Sequence, residues 1–145
     1  MKWTLRASTP ADSIWIAELR AEVLRPDLER LGRYDPQRVR ERFTAAFRSE
    51  LTRVIEVEGR GVGSITVRPE IDGVWIEHFY LSTELQGRGI GRGVLESVLA
   101  ESGTQPFRLN VLQGSRAAAL YTRLGFVLTD EDEVDVWMIR PRVAA

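Results

Sequence analysis

The sequence predicts a mixed fold of the α/β or α+β class, with helices packed on a central sheet. Strand-like and helix-like periodicities follow one another in the order β-α-α-β-β-β-α-β-α-β-β. Glycine turns at residues 58–61 and 72–73 join three successive strands, as in an antiparallel meander. The last of these strands leads through a glycine-rich loop directly into a helix. The length of 145 residues predicts that residues 1–145 form a single domain.

The first predicted elements are a strand and two helices. Residues 3–7 alternate as a strand, and residues 9–12 open a helix with a capping hydroxyl before a proline. We expect this helix to stop before Pro26, because the residue preceding a proline is pushed out of the α region. Residues 35–36 repeat the start signal for a second helix. The apolar positions on the inner faces of these helices are Ile16, Leu19, Val23, Val39, Phe43 and Phe47.

The rest of the chain completes the sheet and adds two helices. One helix follows the glycine loop and is closed by Gly103, and the next is capped by Ser115 and closed by Gly125. The acidic residues 130–133 lack the sixth-position glycine and twelfth-position acid of a calcium loop, so we interpret them as a solvated turn. The predicted strands after the second helix are residues 52–57, 62–68, 74–81, 107–112, 126–129 and 134–140.

Composition excludes several classes of function. A formal net charge of −1 provides no field that would attract nucleic acid or an anionic membrane. The lack of cysteine excludes disulfides, thiol nucleophiles and thiolate metal sites, and a single histidine argues against a zinc site. No stretch has the character of a signal peptide or a membrane span. We therefore expect a cytoplasmic protein that holds no metal and whose basic sites are local.

The stretch with the strongest functional signal is the glycine loop, Gln86-Gly87-Arg88-Gly89-Ile90-Gly91. Three glycines in five residues allow successive backbone N–H groups to face one anion, and the following helix adds unpaired N–H groups. The expected ligand is a phosphate or pyrophosphate. The spacing excludes a P-loop, which needs a lysine, and a dinucleotide fingerprint, whose third glycine comes one residue later. By itself, the loop is also compatible with an ordinary turn before a helix.

Two motifs together resemble the GNAT superfamily of N-acyltransferases. Gln86, Gly89 and Gly91 match the acyl-CoA pyrophosphate loop of that family, Gln-x-x-Gly-x-Gly. Residues 109–112 and 115–126 resemble its strand and following helix, which ends in Leu-Tyr-x-x-x-Gly-Phe. The order of elements agrees over almost the whole chain. The resemblance implies a mixed, mostly antiparallel sheet of about seven strands, flanked by four helices and splayed between the fourth and fifth strands.

The resemblance also implies where acetyl-CoA binds. In this family the co-substrate lies in the splay, where backbone groups of both strands face the amides of its pantetheine arm. Arginines beside the loop are expected to reach phosphate oxygens that the backbone leaves unsatisfied. Ser115 stands where the family often has asparagine. The implied contacts are Phe79, Tyr80, Leu81, Gln86, Gly87, Arg88, Gly89, Ile90, Gly91, Arg92, Asn110, Ser115 and Tyr121.

Acyl transfer from a thioester to an amine needs a base for the amine and an acid for the leaving thiolate. The resemblance implies that Tyr121, near the start of its helix, is the acid. Glu77 is the expected base, acting through a water or as an anchor for the substrate cation. His78, whose imidazole pKa would suit a base, is the second candidate. Strand alternation predicts one face with Trp75, Glu77, Phe79 and Leu81 and the opposite face with Ile76, His78 and Tyr80.

These observations predict an N-acetyltransferase in which a bound primary amine attacks the thioester of acetyl-CoA directly. A non-catalytic acyl-CoA-binding or regulatory module on the same fold is the alternative from another class. The acceptor stays open between a small-molecule amine and a protein lysine or N-terminus, and the family resemblance implies that residues 25–38 roof its site. Many relatives are dimers, so a homodimer is among the expected assemblies.

Overall fold

A seven-stranded sheet forms the centre of the protein. The computed structural model describes residues 1–101 and 104–142. Its strands are β1 (Thr4–Ala7), β2 (Thr52–Val57), β3 (Arg60–Glu70), β4 (Gly73–Leu81), β5 (Phe107–Leu112), β6 (Val127–Glu131) and β7 (Asp135–Arg140). Its α-helices are α1 (Ser13–Arg30), α2 (Pro36–Ala46), α3 (Ile90–Glu101) and α4 (Ala117–Arg123). The predicted mixed fold of seven strands and four helices is confirmed.

The sheet is splayed in the middle, as predicted. The strand order is β1-β2-β3-β4-β5-β7-β6, and every neighbouring pair is antiparallel except β4 and β5. These two parallel strands pair only where Val74 and Trp75 meet Phe107 and Arg108. Beyond Trp75 no further β4–β5 pairing occurs in the described part of the chain, so the facing edges of the two strands are open toward their carboxyl ends.

Each face of the sheet carries its own apolar core. On one face, Val94 of α3 is buried in the same cluster as Phe107 of β5. On the other face, Ile16 of α1 and Phe43 of α2 are buried with Tyr80 of β4. Helices α1 and α2 therefore cover the face of β4 that is opposite to α3. No helix among residues 1–101 and 104–142 is long and apolar enough to cross a membrane.

The prediction that the first helix stops before Pro26 is wrong, because α1 continues through this proline to Arg30. A proline inside a helix has no N–H for the carbonyl four residues earlier. Here that carbonyl belongs to Glu22, and both Glu22 and Pro26 are exposed, so water can satisfy the carbonyl. The helix ends instead at Arg30, and Gly32, two residues later, adopts the left-handed φ of +70° that often follows a helix end.

Smaller differences concern element ends. Phe47, predicted on the second helix, lies just after α2, but its ring still packs on Phe43 with centroids 5.4 Å apart. Phe126, predicted in a strand, lies between α4 and β6, and its N–H donates to the carbonyl of Tyr121 at 3.0 Å. The predicted helix end at Gly103 lies outside the described residues.

Candidate active site

The glycine loop connects the open end of β4 to the start of α3. Gly87 and Gly89 adopt φ values of +77° and +85°, and no heavy atom lies within 4 Å of the position that a Cβ would take at either. The first helical bond of this turn runs from the N–H of Gly93 to the carbonyl of Gly89, at 3.0 Å. The preceding N–H groups of the turn are therefore available to an anion. Ile90 is buried, and a Cβ added at Gly91 would be in ordinary van der Waals contact with Phe79 and Leu120.

Gln86 ties this loop to β4. Its side-chain Nε2 donates to the backbone carbonyl of Leu81 at 2.9 Å, across the short 3-10 turn Thr83–Leu85. Gln86 therefore has a structural contact here, because this bond holds the loop directly beyond the end of the strand.

The two loop arginines differ in what surrounds them. Arg92 pairs with Glu96 at 3.3 Å, with both side chains about half exposed. Arg88 makes no ion pair among residues 1–101 and 104–142. It borders a cavity of about 270 Å³ shared with Ser82, Glu84 and the β2–β3 turn. That cavity lies on the β3 side of the loop, away from the β4–β5 gap.

Residues of β4 and β5 border the gap on its two sides. Phe79, Tyr80 and Leu81 form the end of β4 beyond its last pair with β5. On the other side, Asn110 is exposed and lies in register with Trp137 of β7. Because β5 is paired with β7 along its far edge, its near edge beyond Arg108 has no strand partner among the described residues.

A β-bulge interrupts β4 at His78. Glu77 faces Thr66 and Tyr80 faces Ser64, so two residues of β4 oppose one residue of β3 between these pairs. His78 has a φ of +46°, which a non-glycine residue seldom adopts. The bulge shifts the alternation by one residue. The prediction that Glu77 and His78 occupy opposite faces is therefore wrong.

Because of the bulge, the candidate side chains of β4 are distributed between the two faces differently from the prediction. Glu77 and Tyr80 share the face covered by α1 and α2, and the ring of His78 contacts Phe43 of α2 on that same face, with centroids 5.0 Å apart. Phe79 instead packs with Ile76 against the core beneath α3. The bulge thus gathers the acid, the histidine and a tyrosine on one side of the strand.

His78 lies in a hydrogen-bonded chain that begins on α1. Arg20 donates from Nε to the hydroxyl of Tyr80 at 2.9 Å and from Nη1 to the carbonyl of Val39. The Tyr80 hydroxyl lies 3.1 Å from Nδ1 of His78. Burial, and secondly the charge of Arg20, lower the pKa of His78 to about 4. The premise that this imidazole has a pKa suited to a base is therefore wrong.

Glu77 lies beside a guanidinium group. Arg68 donates to its two oxygens, from Nε at 2.7 Å and from Nη2 at 3.3 Å, and also binds Glu70. The Glu77 side chain is 34% exposed, so water reaches it. Trp75 lies beside the same guanidinium, with its ring centroid 5.8 Å from Cζ of Arg68. The Glu77 carboxylate is thus accessible to water, but it forms an ion pair with Arg68.

Tyr121 of α4 is buried in the apolar core beneath α3. It is the fifth of the seven residues of α4, in the second turn rather than near the start, and it is 5% exposed. Its ring meets Phe126 edge-on at 5.6 Å. Burial, and secondly Tyr80, raise the pKa of its hydroxyl, so the hydroxyl keeps its proton. Ser115 accepts from the N–H of Ala117 at 3.2 Å, as a residue at a helix start does.

Sequence reasoning missed Arg20 and Arg30. Arg20 follows the buried Ile16 by four residues, so a cation on the apolar face of α1 was the available signal. Arg30 lies in the last turn of α1, beyond Pro26, where the sequence analysis did not expect a helix. It donates to the carbonyl of Gln113 at 2.7 Å. Through this bond the end of α1 reaches from the β4 side of the gap to the residue that follows β5.

Comparisons with known proteins agree with this geometry. A family model described as "Acetyltransferase (GNAT) domain" matches residues 48–128, which is more than half of the chain. Among the curated proteins, none matches this sequence.

Similar solved structures cover almost the whole chain. PaiA N-acetyltransferase from Thermoplasma acidophilum, in complex with coenzyme A, has a TM-score of 0.76 at 18% identity, covering 97% of this chain and 99% of that one. An acetyltransferase from Corynebacterium glutamicum, described as histone acetyltransferase HPA2 and related, has a TM-score of 0.76 at 22% identity, with coverages of 100% and 99%. The ribosomal-protein-S18-alanine N-acetyltransferase from Escherichia coli has a TM-score of 0.74 at 18% identity, with coverages of 99% and 96%. At these identities the likeness shows the fold.

Proposed function

The chain belongs to the GNAT acetyltransferase family, and from this premise we propose that it transfers an acetyl group from acetyl-CoA to a primary amine by direct attack. The observation that carries the proposal is the β4–β5 pairing that ends after Trp75, immediately before a loop of open backbone N–H groups. The two features form one continuous path for an elongated ligand with an anionic end. The co-substrate of an acetyltransferase has that form.

The residues at this path fit the co-substrate. The loop glycines leave room for a pyrophosphate, and Arg88 and Arg92 supply positive charge at its edge. The backbone of residues 79–81 and Asn110 offers hydrogen bonds to the pantetheine amides. Bound there, acetyl-CoA supplies an activated acetyl group as a thioester.

Tyr121 is the proposed acid. When the amine nitrogen bonds to the acetyl carbon, the C–S bond breaks and negative charge develops on sulfur. A buried hydroxyl that keeps its proton can donate to this sulfur, and the same dry surroundings also raise the proton affinity of the thiolate.

Glu77 is the proposed acceptor for the proton that the amine loses. A water between the amine and the half-exposed carboxylate would transfer the proton, since Arg68 already engages both oxygens. The nearby indole of Trp75 offers an apolar wall for the carbon chain of the acceptor. We propose that the end of α1, joined to Gln113 by Arg30, roofs this acceptor site.

The proposal is tested by an acetyl-CoA turnover assay against a panel of amines, with detection of the free thiol and of the acetylated product by mass spectrometry. The panel should contain small primary amines, polyamines and peptides with a free N-terminus or lysine. Product formation with at least one amine, and an unchanged protein mass after acetyl-CoA alone, is the expected result. Binding of acetyl-CoA without thiol release from any amine would favour a non-catalytic module, and an acetylated protein would argue against direct attack.

A further inference from the structure

The bulge of β4 is held by contacts from two other parts of the chain. On one side, Ser64 of β3 donates from its hydroxyl to the carbonyl of His78 at 2.8 Å. On the helix side, Tyr80 contacts Nδ1 of His78 and is itself bound by Arg20. Arg20 also bonds to the carbonyl of Val39 in α2. One guanidinium therefore links both covering helices to the irregular part of the strand.

The donors and acceptors in this series of hydrogen bonds determine where the protons of Tyr80 and His78 lie. Arginine can only donate, so the Tyr80 oxygen accepts from Arg20. The single proton of the hydroxyl is then free to be donated to Nδ1 of His78, which must be the unprotonated nitrogen. The reverse arrangement would leave the proton of the buried Tyr80 hydroxyl without an acceptor. The imidazole is thus neutral and carries its proton on Nε2.

We propose that Arg20 is a positioning residue, which acts through Tyr80 to fix His78 as the neutral Nε2–H tautomer and to hold the β4 bulge against the co-substrate gap. At the bulge, the alternation of β4 side chains between the two faces of the sheet shifts by one residue. Residues 79–81 follow the bulge immediately. Loss of the anchor would let His78 leave its unusual φ and would move those residues. The effect on catalysis rests on the proposed function, whereas the tautomer does not.

The charged and titratable groups around His78 support this state. Arg20 approaches from α1 and Arg68 from β3, and both disfavour a second proton on the imidazole, while Glu77 on β4 favours it. Burial is the largest influence, and together these groups lower the pKa of His78 to about 4. Phe43, which contacts the ring from α2, carries no charge. The folded protein therefore loses stability as pH falls from the unfolded imidazole pKa of ~6.5 through 4.

NMR tests the tautomer directly, because His78 is the only histidine in the chain and its imidazole signals need no assignment. Long-range ¹H–¹⁵N correlation spectra of the whole protein should show a protonated Nε2 and an unprotonated Nδ1 at pH 7, with no titration between pH 6 and 8. Tyr80→Phe should give a mixture of tautomers, and Arg20→Met should raise the His78 pKa toward its ordinary value. A protonated Nδ1, or a parent imidazole that titrates near pH 6.5, would overturn the proposal.

Kinetics test the positioning role. Arg20→Met should lower kcat/KM for acetyl-CoA ~10- to 100-fold, since small displacements of a binding strand have effects of this size. Arg48→Met is the matched control, because Arg48 pairs with Glu50 at the surface, away from β4. Arg20→Lys should restore activity only in part, since a lysine cannot bind Tyr80 and Val39 in a fixed fork.

If Arg20→Met does not fold, Tyr80→Phe is decisive. An unchanged tautomer and an unchanged kcat/KM in Tyr80→Phe would refute the positioning role, even if the parent protein is an active acetyltransferase.

Discussion

The two ends of β4 differ in their neighbours, although they belong to one strand. At the amino end, Val74 and Trp75 are paired with β3 on one edge and β5 on the other. At the carboxyl end, residues 79–81 keep β3 but have lost β5. The paired end is a structural joint between the two halves of the sheet. The open end presents backbone groups and a displaced register, so the proposed site and the irregularity of the strand coincide at the same few residues.

The largest expected effect lies at the open end, in Tyr121→Phe. The substitution keeps the ring beside Phe126 and removes only the hydroxyl, which is the proposed proton donor. We expect kcat to fall ~10²- to 10⁴-fold, the usual contribution of a general acid, with little change in KM for acetyl-CoA or in Tm. Steady-state kinetics with one accepted amine would measure this effect.

The effect of Tyr121→Phe should shrink with an acyl donor whose thiol is more acidic, because a better leaving group needs less protonation. Full activity of Tyr121→Phe with acetyl-CoA would remove this residue from the mechanism.

The next effect concerns the paired end, where stability and not catalysis should change. Phe107 is fully buried and pairs with Val74, so Phe107→Ala should lower the free energy of unfolding by about 3–5 kcal/mol. Asn110→Ala, in the same strand but exposed beside the gap, should change it by less than about 0.5 kcal/mol. Denaturant unfolding of both variants measures the difference. Equal losses would mean that β5 is as tightly held at the gap as at the joint.

The glycine loop allows a matched pair of substitutions. Gly89→Glu and Gly59→Glu place the same side chain at φ values of +85° and +75°, with open space at both positions. Each should lose about 1–3 kcal/mol of stability to backbone strain. Only Gly89→Glu should weaken CoA binding, by about 100-fold or ~2.7 kcal/mol, since it puts a negative charge where we expect the pyrophosphate. Calorimetry that finds equal CoA affinities in the two variants would refute the loop assignment.

The smallest expected effect is that of Glu77→Gln, with Glu70→Gln as its control. Both acids bind Arg68, but Glu77 lies next to the bulge and Glu70 lies at the paired end. We expect kcat/KM to fall ~10- to 100-fold for Glu77→Gln, together with a shift of the rising limb of the pH profile. Glu70→Gln should leave both unchanged. A pH profile that is the same in parent and Glu77→Gln would exclude Glu77 as the proton acceptor.

Prediction from the sequence succeeded where the signal was local and failed where distant partners decided. Residues 52–57 and 107–112 were predicted as strands, and the structure has the same bounds. The stop before Pro26 was wrong, because whether a proline ends a helix depends on whether the carbonyl it orphans can reach water. The placement of Glu77 opposite His78 was wrong for a related reason. Alternation assumes an unbroken ladder, and the pairing of Ser64 with Tyr80 breaks it.

The sequence by itself determined the order of elements, the glycine loop and the two motifs that identify the family, because periodicity and backbone freedom are properties of short segments. Only the tertiary structure decided which side chains meet. Arg20 reaches Tyr80 across 60 positions of sequence, and Arg30 reaches Gln113 across 83. A hydrogen bond depends on distances of about 3 Å between groups that folding brings together, and no local pattern records that distance.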